Sequence, residues 1–202
     1  MAETRRRQII LASQSPQRRR ILETLKINFE IKPAGIDEQS ITASTQADRA
    51  EQVARAKAEA VSDQHPQAIV IAGDTYGLHQ GQVLEKPKTN QEAEKMLSVL
   101  SGQEMTALTG FCYLDPQKEI DVSLTKKVWV KFRPLTSGQI HNYVQTEPVL
   151  TWSAAFSAAY DSGIALIAEI KGSLTAFTHG LPLEEVARCL GQSQLLNLSP
   201  DS

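Results

Sequence analysis

The feature that most constrains this 202-residue sequence is an unbroken apolar run, AIVIA at residues 68–72, that stops at Gly73-Asp74. A strand with one wet face alternates apolar and polar residues, whereas an unbroken run reads as a strand buried on both faces. Helical patterns lie on either side of it. Residues 9–11 read as a short strand. Ser15 then offers an N-cap and Pro16 the first helical position, with Ile21, Leu22 and Leu25 as the apolar stripe. Residues 29–32 suit a second strand, and a helix over 47–62 is marked by Val53, Ala54, Ala58 and Val61. The AIVIA strand is expected to end at Gly73-Asp74, before a hairpin over 77–84 around Gly81. Thr89 with Glu92 predicts a capping box for a helix carrying Ala93, Met96, Leu97 and Leu100, closed by Gly102. Residues 106–114 and 122–132 read as two long strands. Val122, Leu124, Val128, Val130 and Phe132 share one face of the second. Thr136 with Gln139 predicts another capping box, before Ile140, Tyr143 and Val144. Residues 163–170 read as a strand, and Pro182 opens a last helix with Leu183, Val186, Ala187 and Leu190 on one side. Short apolar runs alternating with helical patterns define an α/β chain.

Composition narrows the function. The apolar fraction of 41% and charged fraction of 22% are those of a globular chain, so disorder is not indicated. This length closes one sizeable core, or two small lobes facing a cleft. Residues 1–8 are expected as a flexible start, 9–190 as one domain, and 191–202 as a polar, loose tail. A net charge of -2 and a pI near 6.1 argue against coating nucleic acid, which calls for a basic surplus. They leave room for a local basic pocket that holds a small polyanion. The apolar residues after the basic start, 9–12, are too few for a signal peptide. No stretch approaches the roughly 20 apolar residues of a membrane span. Cys112 and Cys189 have neither metal nor redox spacing. A cytoplasmic protein with no nucleic-acid or membrane partner is expected.

Several residues sit where their chemistry is out of place. Arg18, Arg19 and Arg20 occupy the first turns of the first helix, where the partial positive charge of the helix end favours acids. Read alone, the run is most simply a solvated basic face. An anion docked there would make the cost reasonable, because backbone N–H groups and arginines together hold phosphate. Arg18 lies along the inner stripe with Leu22 and Leu25. Lys57, four residues from both Val53 and Val61, also lies on a buried stripe, either snorkelling or facing a cleft. Asp74 follows an apolar strand, where α/β folds place ligands, although a turn-forming aspartate is the plainer alternative. Lys86 is held extended by Pro87. Several cations and one well-placed carboxylate are the inventory for a triphosphate with a metal ion. Walker A, GxGxxG, HExxH and GxSxG motifs are missing. His65, His79, His141 and His179 have no ligand spacing.

Taken in order, LASQSPQRRRIL, VARAKAEAV, IAGDTYGL with LEKP, MLSVLSGQ and GSLTAFTHGLPL resemble the Maf family of nucleotide pyrophosphatases over residues 9–190. The resemblance implies a mixed, twisted sheet with flanking helices, two lobes around a central cleft. It implies metal-dependent (Mg²⁺ or Mn²⁺) hydrolysis of nucleoside triphosphates to monophosphate and pyrophosphate. The family is associated with removal of non-standard nucleotides and with septum formation. It is often dimeric, which leaves a homodimer open here. By matching position, Ser13, Arg18, Lys57 and Lys86 are implied to bind substrate. Asp74 is implied as the catalytic carboxylate and metal ligand, and Glu38 as a second acidic residue near the metal.

The chain departs from the family pattern in two places. Gln17 replaces the first arginine of the usual SPRR. Residues 152–163, WSAAFSAAYDSG, replace something like KAGAYGIQG. The expected lysine falls on Thr151 or Trp152 and the expected glutamine near Ala159. Phe156 keeps the aromatic, and Asp161 is a candidate polar substitute. A nucleotide-binding protein of the same fold with weakened catalysis is therefore the alternative to an active enzyme.

Overall fold

Residues 7–159 and 161–196 are described by the computed structural model. The first strand, β1 (Ile9–Leu11), leads into α1 (Pro16–Glu23) and β2 (Glu30–Ile31), then α2 (Gln46–Ser62) and β3 (Ile69–His79). β4 (Gln82–Leu84), α3 (Asn90–Leu100), β5 (Glu104–Asp115), β6 (Ile120–Phe132) and α4 (Ser137–Thr146) follow. The chain ends through α5 (Asp161–Ile164), β7 (Ile167–Lys171), α6 (Leu174–His179) and α7 (Leu183–Gln192). Ser15, Thr45, Thr89, Thr136 and Ser173 each cap a helix by accepting a backbone N–H of its first turn, which satisfies a donor that would otherwise have no partner. The box expected at Thr136 and Gln139 is complete. At Thr89 only half of it forms, because the Glu92 carboxylate takes the Lys88 N–H instead.

The seven strands form one mixed sheet in the order β2-β1-β3-β5-β6-β7, with β4 on β3. β1 runs parallel to β2 and β3; the remaining pairs are antiparallel. The apolar run is covered on both faces, as its composition requires. Its odd residues Ile69 and Ile71 join Ile9, Leu11, Phe111, Tyr113, Leu22 and Leu190 in one core. Its even residues Val70 and Ala72 join Ile10, Cys112, Ala54 and Ala58 of α2 in another. A third core gathers Leu97, Val130, Phe132, Tyr143, Phe156 and Phe177 around the far part of the sheet. α2 lies so close to β5 that a Cβ on Gly110 would stand 1.9 Å from the Ala50 carbonyl oxygen.

Two strand boundaries are corrected. β3 does not end at Gly73-Asp74 but runs unbroken to His79, because β5 pairs with it from Val70 through Leu78. What ends there is the neighbour on its other edge. The last bond to β1 is Ala12 N–H to the Ile71 carbonyl, at 2.8 Å, and β4 pairs only from Gly77 onward. The edge of β3 around Gly73, Asp74 and Thr75 is left as a gap between β1 and β4. The predicted strand over 163–170 is also corrected. Gly163 and Ile164 close the short helix α5, and the strand begins at Ile167. A Cβ on Gly163 would meet the Ser157 carbonyl oxygen at 1.9 Å, so this glycine lets α5 pack closely against the segment before it.

Of the terminal segments set apart at 1–8 and 191–202, residues 1–6 and 197–202 lie outside the described residues. Arg7 pairs with the fully buried Asp115. Ser193 is buried and donates to Asp115 at 2.6 Å, and its hydroxyl meets that of Tyr113 at 2.7 Å. Among the described residues no helix is long and apolar enough to cross a membrane.

Candidate active site

Alternation along β3 sorts the site onto two faces of the sheet. Asp74, on the even face, meets α2: Lys57 Nζ donates to Asp74 Oδ1 at 3.0 Å. Lys57 also pairs with Glu38 Oε1 at 2.9 Å. The lysine expected on the buried stripe is buried, and it draws both candidate carboxylates to one point. Glu38 reaches that point from a short 3-10 turn, Glu38–Ser40, capped by Asp37. Arg49 of α2 pins the turn by donating to the Glu38 and Ile41 carbonyls at 2.9 and 3.0 Å.

Thr75, on the odd face, meets α1 and α6. The arginine run divides there. Arg19 is exposed and pairs with Glu23, Arg20 is exposed, and Arg18 is 9% exposed. Arg18 spreads its guanidinium over three neutral oxygens. Nε donates to the Gly180 carbonyl at 2.9 Å, Nη1 to Ser13 Oγ at 3.0 Å and Nη2 to Thr75 Oγ1 at 3.2 Å. Thr109, fully buried, backs Thr75 at 3.4 Å and spends its own proton on the Ala176 carbonyl at 2.8 Å. Burial pushes the Arg18 pKa down, and the more distant Asp74 and Glu38 push back. An arginine stays charged in such a place, so a buried cation held only by neutral oxygens is matched to an incoming anion. Gly180 makes the arrangement possible. Its φ is +66°, and a Cβ would stand 2.7 Å from Thr75 Oγ1.

Two hollows open from the gap and share Ser15, Gln17, Arg18, Lys86 and Thr151 in their walls. The polar hollow adds Ser13, Glu38 and Lys57. The second is more apolar and adds Tyr76, Met105, Trp152, Phe156, Phe177 and His179. Lys86, exposed, stands at the rim of both. Its segment is tied to the opposite wall by the Ala154 N–H, which donates to the Glu85 carbonyl at 3.1 Å. The divergent segment 152–158 forms that wall. Phe156 packs edge-on against Phe132 at 5.0 Å and lies 6.0 Å from Phe177. Ala159 adds no polar side chain, and the side chain of Asp161 lies outside the described residues.

Ser13, Arg18, Glu38, Lys57 and Lys86 thus line one cleft, and Asp74 is tied to it through its bond to Lys57. Sequence reasoning missed Arg49, Thr75, Thr109 and Gly180, which hold these groups in place. The donor set fits a hard divalent cation. Two carboxylates converge on a single Nζ, and Mg²⁺ typically takes one or two carboxylates together with substrate phosphates. Among the described residues no group of three or more His, Cys, Asp or Glu side chains could hold a metal, so the remaining ligands would have to be phosphate oxygens and water.

Fold and cleft together define an α/β protein with a cation-lined cleft at the open edge of a mixed sheet. The chain belongs to the Maf-like protein family, whose model matches residues 8–193. It is 34% identical over 185 residues to a dTTP/UTP pyrophosphatase of Ruminiclostridium cellulolyticum, covering 91% of this chain and 95% of that protein. It is 33% identical over 187 residues to a 7-methyl-GTP pyrophosphatase of Hydrogenovibrio crunogenus, covering 93% of each. Among solved structures, the Ham1 protein of Staphylococcus aureus aligns with a TM-score of 0.42 at 15% identity, over 62% of this chain and 72% of that one.

Proposed function

We propose that this chain is a nucleoside triphosphate pyrophosphatase, releasing a nucleoside monophosphate and pyrophosphate. The observation that carries it is the pairing of the two hollows. Cations from both faces of the sheet, Arg18 and Lys57, line the polar hollow with the Glu38 carboxylate, and Asp74 is bonded to Lys57, beside an aromatic hollow of the kind that takes a base. The relatives named above act on dTTP, UTP and 7-methyl-GTP, which supports a substrate among pyrimidine or modified purine triphosphates. Both cysteines are buried and free, in keeping with a reducing cytoplasm.

The triphosphate lies across the start of α1, where the backbone N–H groups and Ser13 face it. Arg18, Lys57 and Lys86 offset its charge, and this electrostatic preorganisation is the main source of acceleration. A Mg²⁺ or Mn²⁺ held by Glu38 and Asp74 would supply further charge neutralisation and polarise a phosphoryl oxygen. Asp74 orients a water and takes its proton as the oxygen attacks the α-phosphorus. The bond to the bridging oxygen breaks, and pyrophosphate leaves against the cations. The aromatic hollow holds the nucleoside still during the displacement.

The test is pyrophosphate release from UTP, dTTP, 7-methyl-GTP and the other common triphosphates with Mg²⁺ or Mn²⁺. Steady release from at least one is expected, abolished by EDTA. The aliphatic Ala159 supports a second reading, a nucleotide binder with weakened catalysis. Tight binding with no release from any triphosphate would select it.

A further inference from the structure

His179 ends α6 and lines the aromatic hollow beside Phe177 and Thr178. Its Nδ1 lies 2.7 Å from Thr178 Oγ1. That hydroxyl has one proton, and it donates it to the Leu174 carbonyl one turn back, at 2.9 Å. Oγ1 is left only to accept, so Nδ1 carries the ring proton. In the neutral ring Nε2 is then a lone-pair acceptor. Burial, and then the charge of Arg20, lowers the imidazole pKa from its ordinary value, which favours the neutral ring.

We infer that His179 reads the base, accepting through Nε2 from a ring N–H that stands beside a carbonyl. Uracil, thymine, guanine and hypoxanthine carry such an N–H. Cytosine and adenine present a lone pair at the corresponding ring nitrogen, and two acceptors facing each other repel. The geometry thus selects lactam and imide bases by the tautomer that Thr178 imposes. This rests on the aromatic hollow taking the base, as proposed above. It goes further by naming the residue and the feature that is read.

The test compares UTP with CTP, which have the same charge and differ at this edge, by kcat/KM and by Kd. The wild type should favour UTP. His179→Ala should reduce the UTP-to-CTP ratio about 10-fold, the worth of one hydrogen bond with its partner left unpaired. His179→Gln, which keeps an acceptor oxygen, should restore part of it. Thr178→Val frees the ring to move its proton to Nε2 and should also lower the ratio. A ratio unchanged in His179→Ala overturns the inference. Ser157→Trp, filling the hollow, separates this from the underlying reading. If it weakens both nucleotides while His179→Ala leaves the ratio alone, only the role of His179 fails. If it weakens neither, the base lies elsewhere and both fail. If no nucleotide is hydrolysed but the Kd ratio shifts as stated, base reading stands and the hydrolytic function falls.

Discussion

Asp74→Asn separates chemistry from scaffold. The carboxylate stands 3.0 Å from Lys57 Nζ. Two unit charges at that distance attract by about 5 kcal/mol at an effective dielectric near 20. Most of that gross attraction is offset by desolvating the pair. The asparagine keeps an oxygen for Lys57 to donate to, and Lys57 keeps Glu38 at 2.9 Å. The net stability loss should therefore be about 1 kcal/mol, a fall in Tm of about 2–4 °C for a chain of this size. Loss of the proton acceptor should instead slow turnover by about 10²–10⁴, equal to about 3–5 kcal/mol on the barrier. Pyrophosphate release under saturating UTP, with Mg²⁺ titrated to its plateau, measures the loss of turnover, and thermal unfolding of the same sample measures the loss of stability. Turnover within a few-fold of wild type would refute the role of Asp74. A Tm fall beyond about 10 °C would refute the division argued here, because the rate loss would then be one of folding.

Other expected outcomes follow from contacts around the site. Thr75→Val removes the oxygen that accepts from Arg18 Nη2 and should raise KM for UTP about 10-fold, with Thr75→Ser restoring it. Arg49→Ala frees the turn that carries Glu38. It should move the Mg²⁺ dependence of the rate about 10-fold upward, read by a metal titration, with most of the rate regained at saturation. Asp115→Asn leaves the largely buried Arg7 without its counter-charge and should cost about 3 kcal/mol, seen as a lower urea midpoint at neutral pH. Burial works to raise the Asp115 pKa, but Arg7 and Ser193 outweigh it and hold it below the ordinary value. A depressed folded pKa contributes stability that is complete above the unfolded value of about 3.9 and is lost as pH falls through the folded one. The gap between wild type and Asp115→Asn should accordingly close below about pH 4, which a urea series across pH checks.

What the sequence disclosed was local or periodic. Ser15 with Pro16, and Thr136 with Gln139, act within one turn of chain, and both motifs formed. Arg18 and Lys57 were visible as charges on buried stripes, and both are buried. What stayed hidden depends on partners far along the chain. Gly180 holds Arg18 from 162 residues away and Thr75 from 57, and no spacing rule connects them. The end of β3 was misplaced for the same reason. Glycine and aspartate after an apolar run read as a stop, yet the antiparallel partner β5 carries the strand onward. Gly163 was read into a strand although its need is for closeness to the Ser157 carbonyl, which only the folded chain reveals.

The misplaced strand end nevertheless has a physical counterpart that explains the location of the site. β3 is paired with β5 along nearly its whole length, but its other edge passes from a parallel neighbour to an antiparallel one. β1 must leave the sheet at Leu11 to start α1, because a parallel neighbour cannot be joined to its partner by a short hairpin. β4 returns through the turn at Gly81 and reaches back only to Gly77. The uncovered stretch between them is where backbone and side chains can serve a ligand without disrupting a ladder. Strand alternation then sends Asp74 toward the helix that bears Lys57 and Thr75 toward the helix that bears Arg18. Two adjacent residues thus recruit cations from opposite faces of the sheet to the gap, the arrangement that the proposed triphosphate site requires. The arrangement requires β3 to be continuous. A strand that ended at Asp74 would lose the antiparallel pairing that fixes Thr75, and with it the third contact of Arg18.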